Sequence, residues 1–98
     1  MFVRLSLSRP VADQRDEVLR IEDDLLSFFA AQPGFIDGYL LTTPEQVGRV
    51  TIWESQAEAE QAANAQHTLA VRSELLPMIA AEPLEMALDG THVKKKQP

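Results

Sequence analysis

Residues 33–55 constrain the fold more than any other part of the chain. The Pro-Gly pair that opens this segment ends a helical pattern, and the apolar run 35–41 that follows is typical of a β-strand. After a polar turn over 42–48, a second strand rich in β-branched residues covers 49–54. The motif Ser-x-x-Glu at 55–58 is a capping box, which predicts that a helix begins there. The segment therefore predicts helix, strand, turn, strand and helix in that order.

A long amphipathic helix is predicted ahead of this segment. Over residues 12–31, apolar side chains recur at steps of three and four, which defines one buried face. That face holds Val18, Ile21, Leu25, Phe28 and Phe29. Charged residues of the same stretch are expected on a solvated side, namely Arg15, Arg20, Glu22, Asp23 and Asp24.

Strands are predicted at both ends of the chain from alternation. Residues 2–7 alternate with period two, and so does the stretch that follows Pro83. The residues predicted to share a face are Val3, Leu5 and Leu7 in the first strand, and Leu84, Met86 and Leu88 in the last. In the second strand we expect one face to hold Phe35, Asp37, Tyr39 and Leu41.

The second helical region is Ala-rich over residues 55–65, is expected to break at 64–68, and resumes over 69–76. The resulting order, β-α-β-β-α-β, predicts an α+β ferredoxin-like domain: a four-stranded antiparallel sheet with helices on one face. Residues 1–89 form this domain, and residues 90–98 are expected to be a disordered polar tail. Apolar residues occupy both strand faces, so we expect a homodimer in which a second copy covers the helix-free face.

Composition argues against several classes of function. The chain has 98 residues and no Cys, which removes disulfides, thiolate metal sites and thiol nucleophiles. A formal net charge of −6 with scattered basic residues argues against nucleic-acid binding. No apolar run approaches the roughly 20 residues of a membrane span, and residues 1–7 do not read as a signal peptide. We therefore expect a cytoplasmic protein without nucleic-acid or membrane partners.

These features together resemble the antibiotic biosynthesis monooxygenase family, a branch of the dimeric α+β barrel superfamily. The residues that carry the resemblance are Pro33-Gly34-Phe35, Gly38-Tyr39 and Thr51-Ile52-Trp53-Glu54-Ser55. It extends over residues 2–88. It implies a dimeric α+β barrel whose best-known activity is oxygenation of a phenol- or quinol-type aromatic without metal or flavin, so no cofactor is expected. The protein then has to bind the ring, help remove a proton and stabilise an oxyanion.

Three residues are candidates for such a site. Trp53, the only Trp, could stack on a flat substrate or donate its indole N–H. His67, at the expected helix break, could act as the base, because an unperturbed imidazole has a pKa near ~6.5. Tyr39 could donate to a substrate oxygen. Each also has a plain structural explanation, as a core Trp, an exposed His and a Tyr that buries its ring.

Arginines form a second set of candidates. Arg4, Arg49 and Arg72 could bind an anion, although single arginines more commonly form surface ion pairs. A zinc site is not expected, because His67 and His92 lack the spacing of paired ligands.

Two alternatives to the enzyme stay open. One is a non-catalytic homodimer of the same fold that binds a small ligand or has a structural role; a pocket filled by Phe28, Phe29 and Met86 would favour it. The other is haem binding or degradation. Trp53 matches the Trp of the haem-degrading branch, but Val3 stands at that branch's Asn position.

Overall fold

The computed structural model describes all 98 residues, Met1–Pro98. Its four strands form one antiparallel sheet in the order β2-β3-β1-β4, and the helices pack on one face of it. This confirms the predicted ferredoxin-like fold, with the second helical region divided in two. The elements are β1 (Phe2–Ser8), α1 (Arg15–Ala30), β2 (Phe35–Thr42), β3 (Val47–Trp53), α2 (Gln56–Ala63), α3 (Gln66–Leu75), a 3-10 turn (Leu76–Met78) and β4 (Leu84–Asp89).

The strand register fixes which residues face the helices. On the helix-facing side, one row across the sheet is Thr51, Arg4 and Ala87, and the next is Arg49, Ser6 and Glu85. On the other side, the rows are apolar and include Tyr39, Val50, Leu5 and Met86. The helix-facing side therefore carries polar and charged residues at its centre, where a sheet covered by helices is normally apolar.

The core has two clusters. One lies toward the beginning of β3 and consists of Val18, Ile21, Val47 and Leu75. The larger lies at the end of the sheet where β3 leads into α2. Trp53 is almost fully buried and makes edge-to-face contacts with Phe29 and Phe35, with ring centroids 5.8 and 5.4 Å apart. Ala59 and Ala62 of α2 complete this cluster. Because alanine side chains are small, α2 lies close against the indole ring.

Ser55 caps α2 as the capping motif predicts. Its Oγ accepts a hydrogen bond from the Glu58 amide at 3.2 Å. The Glu58 carboxylate in turn accepts from the Ser55 hydroxyl at 2.9 Å, instead of from the Ser55 amide as in the complete motif.

A β-bulge changes the predicted faces of β2. Both Phe35 and its neighbour Ile36 stand opposite Trp53, so the register shifts by one residue before Asp37. Phe35 therefore packs into the helix-side core, while Asp37, Tyr39 and Leu41 stay on the helix-free face. The prediction that all four share a face was wrong for Phe35, because an extra residue reverses the alternation.

Two helix boundaries also differ from prediction. The first helix begins at Arg15, three residues later than expected, because Val11 O accepts from the Gln14 amide in a turn. The break in the second helical region is shorter than 64–68, since α3 already begins at Gln66. Thr68 Oγ1 donates to Ala62 O at 2.7 Å and ties the two helices together across the break.

The helix-free face of the sheet is apolar and uncovered. Tyr39, Leu84, Met86 and Leu88 are among the exposed large hydrophobic residues. Beyond β4, residues 91–98 are exposed and have no regular secondary structure. None of the helices has the length and apolar character that crossing a membrane requires.

Candidate functional site

A small cavity lies between the helix-facing side of the sheet and the helices. Its volume is about 20 Å³, which is room for about one water molecule. The sheet contributes its central rows, α1 contributes Phe29, and α2 and α3 close the top with Ala59, Ala63 and Thr68. The cavity is therefore built from six elements, three strands and three helices.

Three arginines from distant parts of the chain line this cavity. Arg4 comes from β1, Arg49 from β3 and Arg72 from α3. Arg4 and Arg49 lie in neighbouring rows of adjacent strands, and α3 brings Arg72 across them. The structure thus brings together the three arginines that the sequence analysis named as possible anion ligands.

The arginines differ in their partners. Arg49 forms a 2.6 Å ion pair with Glu22, in which the two side chains are only 14% and 4% exposed. Its guanidinium carbon also lies 5.6 Å from the Phe29 ring centroid. Arg72 has a looser contact of 3.5 Å with Glu85. Arg4 makes neither an ion pair nor a side-chain hydrogen bond with the protein.

The predicted exposure of Glu22 was wrong. It was expected on the solvated side of α1, but it is one of the buried residues of that helix. The buried ion pair with Arg49 is the reason, because a carboxylate enters the interior only when it is paired. Its spacing offered a signal: Val18, Glu22, Leu25 and Phe29 follow steps of four, three and four, which is the period of a buried stripe.

Trp53 is one of the apolar residues that line the cavity. Its indole N–H donates to Thr51 Oγ1 at 2.9 Å, so that donor is already engaged within the protein. Thr51 is itself buried and lines the same cavity. The indole N–H is therefore not free to donate to another group.

A wider cleft of about 390 Å³ adjoins the cavity. The two share four lining residues, Ser6, Arg49, Arg72 and Glu85. Leu75, Leu76 and Ile79 give the cleft an apolar side, and Glu22 and Glu82 add carboxylates. A cleft of this volume falls in the range of small-ligand sites, about 300–1,000 Å³.

The other two predicted site residues lie elsewhere. His67 is in the first turn of α3, is exposed, and stacks on Phe28 with ring centroids 4.3 Å apart. Tyr39 is 52% exposed on the helix-free face. Neither lines the cavity or the cleft. His67 does not reach the cavity that Trp53 lines, because α3 begins before His67 and the imidazole stacks on Phe28 of α1.

The cavity has functional candidates that the sequence analysis did not single out. Ser6, Thr51, Thr68 and Glu85 all line it. Glu85 is the only carboxylate that lines both the cavity and the cleft. No group of three or more His, Cys, Asp or Glu side chains is placed to hold a metal ion.

No family model and no curated protein sequence matches this chain. Solved structures match it over nearly its whole length. A protein from Deinococcus radiodurans matches with a TM-score of 0.88 at 8% identity over 100% of both chains. An antibiotic biosynthesis monooxygenase matches at 0.83 and 13% identity, over 94% of this chain and 100% of that one.

A third match is SnoaB from Streptomyces nogalater, a cofactor-independent oxygenase. Its TM-score is 0.77 at 17% identity, over 94% of this chain and 95% of that one. At such identities the likeness concerns the path of the backbone. The chain has the fold of the antibiotic biosynthesis monooxygenases.

Proposed function

We propose that this protein is a cytoplasmic, homodimeric monooxygenase that oxidises a phenol- or quinol-type aromatic without metal or flavin. One observation carries the proposal: Arg49 and Arg72 line both the cavity and the adjoining cleft, and Leu75, Leu76 and Ile79 give that cleft an apolar wall. An apolar wall suits a flat ring, and fixed cations stabilise negative charge that develops on its oxygen. The fold shared with a cofactor-independent oxygenase supports this assignment.

The reaction needs few groups from the protein. The substrate ring lies in the cleft beside Leu75 and Leu76, with its reacting edge toward the cavity. A base removes one proton, and Arg49 and Arg72, which line both the cavity and the cleft, stabilise the resulting oxyanion. The electron-rich ring then reduces dioxygen itself. In an anthrone, the keto tautomer of such a phenol, a ring CH₂ and O₂ become C=O and H₂O, so the substrate supplies all four electrons.

Two residues compete for the role of base. Glu85 borders both the cavity and the cleft, and its contact with Arg72 is loose enough to yield to a substrate. His67 is the other candidate, but it lies outside the cavity. We favour Glu85 because a base must come within hydrogen-bond reach of the proton that it removes.

Oxygen uptake with a panel of quinols and anthrones tests the proposal. Glu85→Gln should lower turnover by about 10²-fold or more, the scale of a general base. His67→Ala and the surface variant Arg20→Gln should stay within about twofold of the wild type. A large loss of turnover in His67→Ala, with little loss in Glu85→Gln, would instead identify His67 as the base.

The alternative function is a non-catalytic homodimer that binds a small ligand. The observation that favours it is the small volume of the inner cavity, about 20 Å³, which admits no ring. Absence of uptake by the wild type across the whole panel would support this alternative. Met86, which was considered as a residue that could fill the pocket, does not line the cavity or the cleft.

A further inference from the structure

We infer that the ligand of this site carries an anionic substituent of the carboxylate type, and that Arg4 is the residue that binds it. The inference rests on the proposed function, because it narrows the class of aromatic that the cleft accepts. It starts from the charges around the cavity, of which Arg4 alone has no counterpart.

The three arginines of the cavity differ in how far a nearby carboxylate neutralises them. Arg49 is neutralised by Glu22, at 2.6 Å. Arg72 is partly neutralised by Glu85, at 3.5 Å. Arg4 faces Thr51 and Ala87 across the neighbouring strands, and neither of them carries a charge. One positive charge is therefore left over, and it lies on Arg4.

A shortage of acidic residues does not explain the unpaired arginine. The chain has 15 Asp and Glu residues against 9 Lys and Arg, yet none of them lies within ion-pair distance of Arg4. Arg4 is half-buried, and no side-chain nitrogen in the protein is both buried and without a partner. Its guanidinium thus stays open to the cavity, and desolvating it without a partner is unfavourable.

The shape of the site orients such a ligand. The inner cavity admits only the oxygens of a head group, and the cleft has room for a ring. The cleft is lined by Glu22, Glu82 and Glu85 against two arginines, so an anionic group is repelled there. The inner cavity has three arginines and only Glu85, so it attracts the same group. A planar guanidinium can bind a carboxylate through two hydrogen bonds.

Binding of two matched probes tests the inference without turnover. The probes are 2-naphthoate and its neutral analogue 2-naphthamide, and the readout is the fluorescence of Trp53, the only Trp, which lines the cavity. The wild type should bind the naphthoate about tenfold or more tightly than the naphthamide, the scale of hydrogen bonds to a charged group. Equal affinities for the two probes would overturn the inference.

Substitutions of single arginines identify the residue that causes the preference for naphthoate. Arg4→Gln should abolish the preference for naphthoate and leave naphthamide affinity within about twofold. Arg9→Gln is the matched control, because Arg9 is in an exposed ion pair with Glu45, and it should keep the full preference. A preference that survives in Arg4→Gln overturns the assignment to Arg4. The comparison of probes on the wild type stays decisive if Arg4→Gln does not fold.

Oxygen uptake separates this inference from the proposed function. A naphthoate preference that depends on Arg4, without any uptake, supports the inference and contradicts the oxygenase. Uptake with neutral and carboxylated quinols at equal kcat/KM, together with equal probe affinities, supports the oxygenase and contradicts the inference.

Discussion

At the scale of single residues, the ion pair between Arg49 and Glu22 links the site to the core. Both side chains are largely buried, and Arg49 also lies near the Phe29 ring. The pair holds the Arg49 guanidinium at the cavity wall. It therefore combines a structural role with a place in the candidate site.

Removal of one partner should destabilise the protein strongly. Arg49→Met leaves the Glu22 carboxylate buried and unpaired, at an expected cost of about 3–5 kcal/mol. Arg9→Met removes an arginine whose ion pair is more than half exposed and should cost at most about 1 kcal/mol. Urea unfolding of both variants measures the difference.

A double variant provides the control for this pair. Glu22→Leu with Arg49→Met leaves no charge unpaired and should recover much of the loss. Equal free energies of unfolding for Arg49→Met and Arg9→Met would show that the buried ion pair contributes no more to stability than the exposed one.

At the scale of elements, the contact between β1 and β3 sets the positions of Arg4 and Arg49. In this contact Gly48 of β3 pairs with Leu7 of β1. A Cβ at Gly48 would lie 1.9 Å from the Ser6 carbonyl oxygen, an atom of the backbone. The register that aligns the two arginine rows therefore requires glycine there.

Gly48→Ala should destabilise the sheet by about 3 kcal/mol or more, because a backbone atom cannot move aside as a side chain can. Gly90→Ala is the matched control. The nearest atom to its new Cβ is the Met1 Cγ at 2.9 Å, part of a flexible side chain, so the cost should stay below about 1 kcal/mol. Thermal unfolding compares the two variants, and similar melting temperatures would contradict the close approach.

At the scale of the whole molecule, the two faces of the sheet have different roles. The helix-facing side holds the cavity and cleft, while the opposite side exposes apolar rows that run across all four strands. Exposed apolar surface of this kind is typical of interaction sites, and we predict that it is the dimer interface. A second copy related by a two-fold axis would cover it, and Tyr39 would then lie between the two protomers.

Met86→Asp should convert the expected dimer into a monomer. Met86 is 43% exposed in the protomer, so an Asp there is tolerated by the fold but would be buried and unpaired in a dimer. The control is Val93→Asp in the C-terminal tail, where Val93 is 78% exposed. Light scattering at micromolar concentration checks both, and a monomeric wild type would contradict an interface of about 2,000 Å² or more.

Sequence patterns were reliable where the signal is local. The Pro-Gly punctuation, the alternation of residues 2–7 and the cap at Ser55 each involve neighbours in the chain, and the fold confirms them. The β-bulge at Phe35 carried no such signal, because it depends on pairing with β3. The break before α3 was predicted, but it was expected to extend to residue 68. In the structure α3 already begins at Gln66, so His67 lies inside the helix.

The sequence by itself determined the order of elements, the antiparallel sheet and the two apolar faces, because periodicity and turn chemistry act over a few residues. Only the tertiary structure decided which side chains form the site. Arg4, Arg49 and Arg72 are far apart in the chain, and they converge because strand register and the packing of α3 are non-local. The same packing separates Trp53 from His67 and Tyr39, which lie outside the cavity on different surfaces of the fold.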